Sequence, residues 1–518
     1  MYSLLIKNAN IIDGSGKKGF AADVAVEGDK IVAVSEKITV GAKQIFDGTG
    51  LILTPGFIDV QNHSDSYWQL FDNPALESLV TQGYTTILVG SSGSSLAPLL
   101  SEQSLLGIQK WKPTSGINVN WRTYKEYAEQ LAGKKYGANV STLIGYSTVR
   151  RGLLGDSVSA PTKEDLDALT KLLEECLVAG AKGVSLGLQY SHELNVSEAE
   201  IFNLAQLCAK HNKVLAVSLR NESSEMIANI RELAAIAEQT GVRLKISHLK
   251  IRFRNNQNLL TELLDTLESS WHRGVKISFD SYPYDFTWQP LYTYLPKWAI
   301  EGGRSKMLER LKDEVQHKKI LSYLRDHPGK ITELIIASTG PNLKVNGKAV
   351  SKIAKDMNLT SEEAVLSLIK SGGSSVLVFD KCLDPKTVSI INNHAMGLIA
   401  TNGGGFNLIH GENLVHPRSF GTSTKFLRSV IDDKSISLEE AVAKLSGRAA
   451  EVAGLTDRGI LKTGNYADLV LFDPAHINSE ASMSNPYQYS KGITAVWVNG
   501  ELTVRNGLPL ETLAGTFI

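Results

Sequence analysis

The strongest constraint on this chain is an alternation repeated eight times. Short apolar runs (Gly56 to Val60, Thr85 to Val89, Ser141 to Ile144, Gly183 to Gly187, Val214 to Ser218, Leu244 to Ser247, Lys276 to Asp280 and Met396 to Thr401) are separated by longer stretches. Those stretches carry apolar residues at three and four spacing, as in Lys163 to Ala179, Ser197 to His211 and Ser223 to Gln239, the period of an amphipathic helix. A strand that reads as a continuous apolar run is buried on both faces, the condition of a parallel sheet covered by crossover helices. Eight such units predict a closed barrel with its active site at the carboxyl ends of the strands.

The flanks read differently. Ser3 to Ile12, Asp23 to Val26 and Lys30 to Val34 are β-branched and punctuated by Asp13-Gly14-Ser15-Gly16 and Gly28-Asp29, and the same strand and turn pattern returns at Asp468 to Phe472 and Ala495 to Leu502. The chain is therefore expected to be α/β: a distorted (β/α)8 TIM-like barrel over 55–454, with a small composite β-sandwich from both termini (1–54 plus 455–518). The stretch 288–351, with Pro290, Pro296, Gly302-Gly303 and a charged helix from Ser305 to Arg325, is expected to be a small subdomain inserted after the seventh strand.

Composition removes several functions. Lys plus Arg equals Asp plus Glu at 54 each, so bulk charge gives no attraction to nucleic acid or an anionic membrane. Cys176, Cys208 and Cys382 are the three cysteines, with no CxxC among them, which argues against a disulfide scaffold or a thiolate zinc ribbon. The sequence from Met1 has no long apolar core of a signal peptide, and no run reaches the roughly 18 apolar residues of a membrane span. A cytoplasmic enzyme with a small-molecule substrate, no nucleic-acid or membrane partner and an open oligomeric state is the expectation.

Residues just past each run are the ones to read for chemistry. Gln61-Asn62-His63-Ser64-Asp65 follow the first, Gly90-Ser91-Ser92-Gly93 the second, Tyr146 the third, and Ser218-Leu219-Arg220-Asn221-Glu222 the fifth. Ser247-His248-Leu249-Lys250 follow the sixth, Asp280-Ser281-Tyr282-Pro283-Tyr284 the seventh, and Asn402-Gly403-Gly404-Gly405 the eighth. His63 and His248 are candidate acids or bases, against the plainer reading of histidines packed at the barrel mouth. Lys250 suits a proton donor or amine nucleophile if desolvated, and a structural ammonium otherwise. Tyr282 at a strand end suits a proton donor, and Tyr146 a pocket wall, although tyrosines also fill barrel cores. Arg220 and Arg418 suit a carboxylate clamp, against an intramolecular ion pair. Ser91 to Ser95 invite a nucleophilic serine, but the flanks lack a G-x-S-x-G elbow and no acid and histidine order surrounds them. Asp59, inside the first strand motif, is read as a loop anchor.

The motifs Pro55-Gly56-Phe57-Ile58-Asp59-Val60, Gln82-Gly83-Tyr84-Thr85-Thr86, Ile246-Ser247-His248-Leu249-Lys250, Phe279-Asp280-Ser281-Tyr282-Pro283-Tyr284, His416-Pro417-Arg418 with Gly421-Thr422, Asp457-Arg458-Gly459 and Ala467-Asp468-Leu469-Val470 are carried in an order and spacing that resembles the amidohydrolase superfamily. The resemblance is to the branch of N-acyl-D-amino-acid deacylases, or D-aminoacylases. It implies zinc held by an HxH pair after strand one, a Cys after strand two, single His residues after strands five and six, and a proton-moving Asp after strand eight. At those positions this sequence has Gln61, Ser92, Ser218 and Asn402, with only His63 and His248 kept. Gln, Asn and Ser offer neutral oxygens that compensate zinc poorly, so no metal cofactor is expected. Catalysis is then assigned to His63, His248, Lys250 and Tyr282, and substrate contact to Gln61, Ser92, Tyr146, Ser218, Arg220, Asn402 and Arg418. The expected activity is cleavage of a carbon–nitrogen bond of an amide, imide or N-acyl amino acid without a metal. The alternatives are a metal-free cyclase, lyase or isomerase of a specialised metabolite, or an inactive ligand-binding homologue.

Overall fold

The computed structural model describes residues 1–108, 116–156, 159–326, 331–339, 343–409 and 413–518. The eight apolar runs form the barrel strands β1 (Phe57–Asp59), β2 (Tyr84–Val89), β3 (Asn139–Thr142), β4 (Gly183–Gly187), β5 (Val214–Ser218), β6 (Arg243–Ile246), β7 (Ile277–Ser281) and β8 (Gly397–Ile399). All are parallel and nearly every residue in them is buried, which is why they read as continuous apolar runs. They lie in two arcs, β1-β2-β3 and β4 through β8, the second extended by Ile144–Gly145. Leu143 N–H donating to Val89 carbonyl closes one seam, and at the other Asn402 N–H donates to Gln61 O (2.8 Å) and His63 N–H to Gly403 O (2.7 Å). The second seam brings the tips of β1 and β8 together, and both tips carry site residues.

Helices cover the outside. Lys163–Val178 and Glu198–Lys210 each start with a capping box, Thr162 with Asp165 and Ser197 with Glu200, in which the cap hydroxyl and the acid three residues on satisfy two orphan N–H groups. Their buried faces repeat at three and four spacing, Leu169, Leu173, Cys176 and Leu177 in the first and Ile201, Leu204, Ala205 and Cys208 in the second.

The two ends of the chain meet in one nine-stranded sheet. Tyr2–Ile11 pairs with Phe20–Glu27, Ala42–Asp47 and Ile52–Pro55, and Leu469–Phe472 runs antiparallel to Ile52–Pro55 with Val470 opposite Thr54. Ile6, Val24, Leu53, Leu471 and Trp497 share one core between strands from both ends. The inserted unit is longer than the stretch 288–351 read from the sequence, parts of which (327–330 and 340–342) lie outside the described residues. Its sheet has the order Thr287–Pro290, Leu377–Asp380, Ile335–Ser338, so it ends at Asp380. The central strand comes last in the chain, beyond the Pro- and Gly-marked stretch. Among the described residues no helix is long and apolar enough to cross a membrane.

Candidate active site

The strand tips converge on a chain of buried polar groups. Three residues at the mouth, Ser92 (φ 53°), His248 (φ 41°) and Asn402 (φ 45°), have left-handed backbone at the ends of β2, β6 and β8. Such backbone is uncommon outside glycine and turns a side chain off the strand direction. Gly90 allows the β2 turn, since a Cβ there would lie 2.0 Å from Leu143 O, and Gly187 lets Ser92 close onto β4, since its Cβ would lie 2.4 Å from Ser92 O.

From that geometry one continuous path follows. Lys245, fully buried inside β6, donates to Gln61 Oε1 (2.9 Å) and to Asp280 Oδ2. Gln61 Nε2 donates to Ser92 Oγ (3.1 Å), and Ser218 Oγ donates to the same oxygen (3.0 Å). His248 Nε2 lies 3.0 Å from Ser218 Oγ, and its Nδ1 lies 2.9 Å from Lys250 Nζ and 3.0 Å from Glu222 Oε1. Lys250 also donates to Glu222 Oε1 and to His248 O. Asp280 Oδ1 accepts the backbone N–H of His248 (2.8 Å) and so holds the imidazole's own loop. On the opposite side of the mouth His63 Nε2 lies 2.9 Å from Asn402 Oδ1, and Arg418 Nε donates to Asn402 O (2.8 Å).

The electrostatics follow from burial and the pairings. Desolvation and the Lys250 charge push the His248 imidazole below its ordinary value, so it is neutral at neutral pH. Burial pulls the Glu222 carboxyl upward, but Lys250 and His248 outweigh it and hold it at about 2. Lys250 is lowered by burial, an effect Glu222 opposes. Burial raises the Tyr282 hydroxyl well above its usual range, so it acts only as a hydrogen-bond donor or acceptor. Asp59, raised by burial to about 6, accepts from Asn62, Thr401 and Gln61 and ties β1 to β8, as the loop-anchor reading has it.

The structure gathers Gln61, Ser92, Ser218, His248 and Lys250 into this path, and His63, Asn402, Arg418 and Tyr282 beside it. Two expected substrate contacts fall elsewhere. The Tyr146 hydroxyl donates to Glu200 Oε2 (2.7 Å) inside an ion pair with Arg150, because Tyr146 opens a helix that turns it away from the mouth. Arg220 directs its guanidinium to the carbonyls of Leu194 and Val196, so it braces a loop. Ser92 and Ser218, expected as substrate contacts, are hydrogen-bonded to each other across 126 residues, a pairing that no local motif records, and Ser218 also reaches His248. Lys245 and Glu222 were not singled out. A lysine amid Leu244 and Ile246 in a doubly buried strand was the available signal, since lysine is almost never fully buried unless paired.

A cavity of about 830 Å³ opens beside Ser92, between the barrel mouth and the inserted unit, with Gly187, Tyr190, Tyr292, Arg304 and Asn413 in its wall. At the mouth the Arg418 guanidinium lies 4.7 Å over the Tyr282 ring and 5.8 Å over the Trp288 ring. Tyr282 OH and Trp288 Nε1 are buried with no hydrogen-bond partner among the described residues.

Comparison with known proteins gives the family. Residues 413–504 match the model of the amidohydrolase family. The chain is 30% identical over 498 residues to the N-acyl-D-aspartate deacylase of Alcaligenes xylosoxydans xylosoxydans, covering 96% of this chain and 91% of that protein. The chain belongs to the amidohydrolase family, in its D-aminoacylase branch. It is 28% identical to the D-aminoacylase of the same organism, over 96% of this chain and 94% of that one. The crystal structure of N-acyl-D-glutamate deacylase from Bordetella bronchiseptica, complexed with zinc and a phosphonate mimic of the tetrahedral intermediate, superposes with a TM-score of 0.84 at 26% identity, covering 100% of this chain and 99% of that one.

That relative is complexed with zinc, and the corresponding residues of this amidohydrolase are of a different kind. Among the described residues no group of three or more His, Cys, Asp or Glu is arranged to hold a metal ion. Gln61, Ser92, Ser218 and Asn402 present neutral groups, and Gln61 Oε1 already accepts from the Lys245 ammonium. A buried ammonium hydrogen-bonded to Gln61, where the family resemblance expects a ligand, opposes a divalent cation, and neutral amide and hydroxyl oxygens do not offset it. These residues do not fit a zinc ion.

Proposed function

We propose that this protein hydrolyses the carbon–nitrogen bond of an N-acylated amino acid by acid–base chemistry of its own side chains, independently of zinc. Family membership supports the bond class. The observation that carries the substrate class is the group of polar side chains around Arg418 at the mouth. Arg418 is buried, spends one N–H on Asn402 O, and has no other acceptor among the described residues, while Tyr282 OH and Trp288 Nε1 beside it are unsatisfied. Each buried unmet donor costs about 1–3 kcal/mol, and a substrate carboxylate paired with Arg418 brings acceptor oxygens to the neighbourhood of the two unsatisfied donors. Arg418 presents the planar fork that recognises a carboxylate in two-point fashion. The acyl group then faces the cavity at Ser92, where Lys250, Glu222 and the neutral His248 are the proton-handling groups. Asn402 takes no part in proton transfer, because an amide neither accepts nor returns a proton at neutral pH.

The test is release of free amine from a panel of N-acetyl and longer N-acyl amino acids of both configurations, with zinc content measured on the same preparation. Amine release that survives chelation, with zinc well below stoichiometric, is expected. Stoichiometric zinc whose removal abolishes turnover overturns the metal-independent part. Tight binding of the panel with no amine release replaces the enzyme by a binding protein.

A further inference from the structure

The hydrogen bonds between Lys250 and the cavity share one direction. Lys250 has three N–H donors and three neighbours within reach: Glu222 Oε1, His248 O (3.0 Å) and His248 Nδ1 (2.9 Å). His248 Nδ1 faces both the Lys250 ammonium (2.9 Å) and Glu222 Oε1 (3.0 Å); with Lys250 donating to it, Nδ1 accepts and the ring proton sits at Nε2, which faces Ser218 Oγ at 3.0 Å. Ser218 in turn donates to Ser92 Oγ at 3.0 Å. Ser92 Oγ thus receives two donors, from Ser218 and from Gln61 Nε2, and its own proton is left to point outward. Ser218 is fully buried, whereas Ser92 lies in the cavity wall. The path therefore runs from a buried ammonium to a single hydroxyl at the cavity surface.

We propose that Lys250, His248, Ser218 and Ser92 form a proton relay that serves the leaving nitrogen of the substrate at Ser92. This rests on the deacylase reading above. Water is the co-reactant: its oxygen bonds to the acyl carbon as the carbon–nitrogen bond breaks. The Ser92 proton passes to the departing nitrogen, Ser218 reprotonates Ser92, His248 Nε2 reprotonates Ser218, and Lys250 reprotonates Nδ1. The proton released by the adding water enters at Ser92 and returns along the same path, restoring the Nε2–H imidazole and the ammonium. One water is consumed and one acid and one amine leave, with no net proton left on the protein. Ser92 is the catalytic residue because it touches the substrate, and Ser218 and His248 act through it.

A relay and a nucleophile differ in what they demand of the leaving group. An amide nitrogen needs a proton to leave, but a nitrophenolate does not. The experiment compares an N-acyl amino acid with an aryl ester of the same acyl group on a carboxylate-bearing nitrophenol, for wild type, Ser92→Ala, Ser218→Ala and Ser218→Thr. Both alanine variants are expected to lose about 100-fold or more in kcat on the amide, the scale of general acid catalysis, and to lose at least about tenfold less on the ester, which needs the path for the proton of the adding water but not for its leaving group. Ser218→Thr, which keeps the hydroxyl, is expected to retain most amide turnover. Equal losses on both substrates, or an acyl adduct on Ser92, overturn the relay in favour of a structural or nucleophilic serine. Unchanged amide turnover in either alanine variant overturns it while leaving the deacylase reading intact. A wild-type protein inert on every amide removes that reading, and the relay with it.

Discussion

Lys245 is where the chemistry of single residues is most exposed. Its ammonium is fully buried between Asp280 and Gln61, and removing one member of a buried pair leaves the other charge uncompensated. Lys245→Met is therefore expected to destabilise the protein by about 3–5 kcal/mol, read as a lowered denaturation midpoint, with Lys245→Met/Asp280→Asn recovering most of it. A double variant no more stable than the single would show that the pair is not the coupled unit. Arg418 gives a second prediction. Arg418→Lys keeps the charge but loses the fork and the flat face over Tyr282 and Trp288. It is expected to lower kcat/KM on N-acyl amino acids by about 10- to 100-fold, equivalent to about 1.4–2.8 kcal/mol, mostly through KM. An unchanged KM would place the substrate carboxylate elsewhere. His63, His248 and Lys250 were legible because strand ends in a barrel are where chemistry collects. Ser92 and Ser218 were legible as strand-end positions, but their pairing was not, since it crosses the barrel and leaves no mark on either local sequence.

At the scale of elements, the barrel strands were readable because double burial forces continuous apolar runs, and the helices because one-sided burial forces a period. The end of the inserted unit was not, because the strand that holds its sheet together pairs with segments on both sides of a long helical stretch. The helix Leu438–Leu445 shows a further constraint: it packs on β8 through a buried lysine. Lys444 donates to His394 O, a carbonyl that also accepts from Gly397 N–H. Burial lowers Lys444 to about 7, with Glu440 opposing the shift. The folded-state value thus lies below the ordinary lysine value of 10.5. Below pH 7 the folded protein carries the full cost of the buried charge. Between about 7 and 10.5 it has released the proton that the unfolded chain still holds, so stability rises with pH through this window. Lys444→Met is expected to raise stability by about 2–4 kcal/mol at pH 6, with the gain shrinking toward pH 10 as the wild-type penalty disappears. Denaturation midpoints at pH 6, 8 and 10 check the sign, and a gain that grows with pH would contradict it.

The whole molecule is joined where the terminal sheet meets β3. Asn139 of β3 donates to Asp468 Oδ2 (3.2 Å) and accepts from Asn499 Nδ2 (2.8 Å) and Thr516 N–H (3.2 Å). The last residues extend the seam, with Gly515 paired to Tyr136 and Phe517 to Val140. Behind it Arg458 pairs with Asp468 and donates to Asn499 Oδ1 (2.8 Å), its guanidinium 3.9 Å over the Tyr466 ring. Burial raises the Asp468 carboxyl, and Arg458 is the main influence opposing it. The sheet and barrel thus share one charge-stabilised joint, and damage to it is expected to lower both together. Arg458→Met should cost about 3–5 kcal/mol near neutral pH, with far-ultraviolet and tryptophan signals falling in a single shifted transition. Without Arg458 the Asp468 carboxyl rises further above its unfolded value, so the variant loses stability as pH climbs from about 4 toward that raised value. The deficit relative to wild type is then smaller at pH 5 than at pH 8, and Asp468→Asn in the same chain should flatten it. Two separated transitions, or a deficit independent of pH, would show that the sheet and barrel are not coupled through this pair.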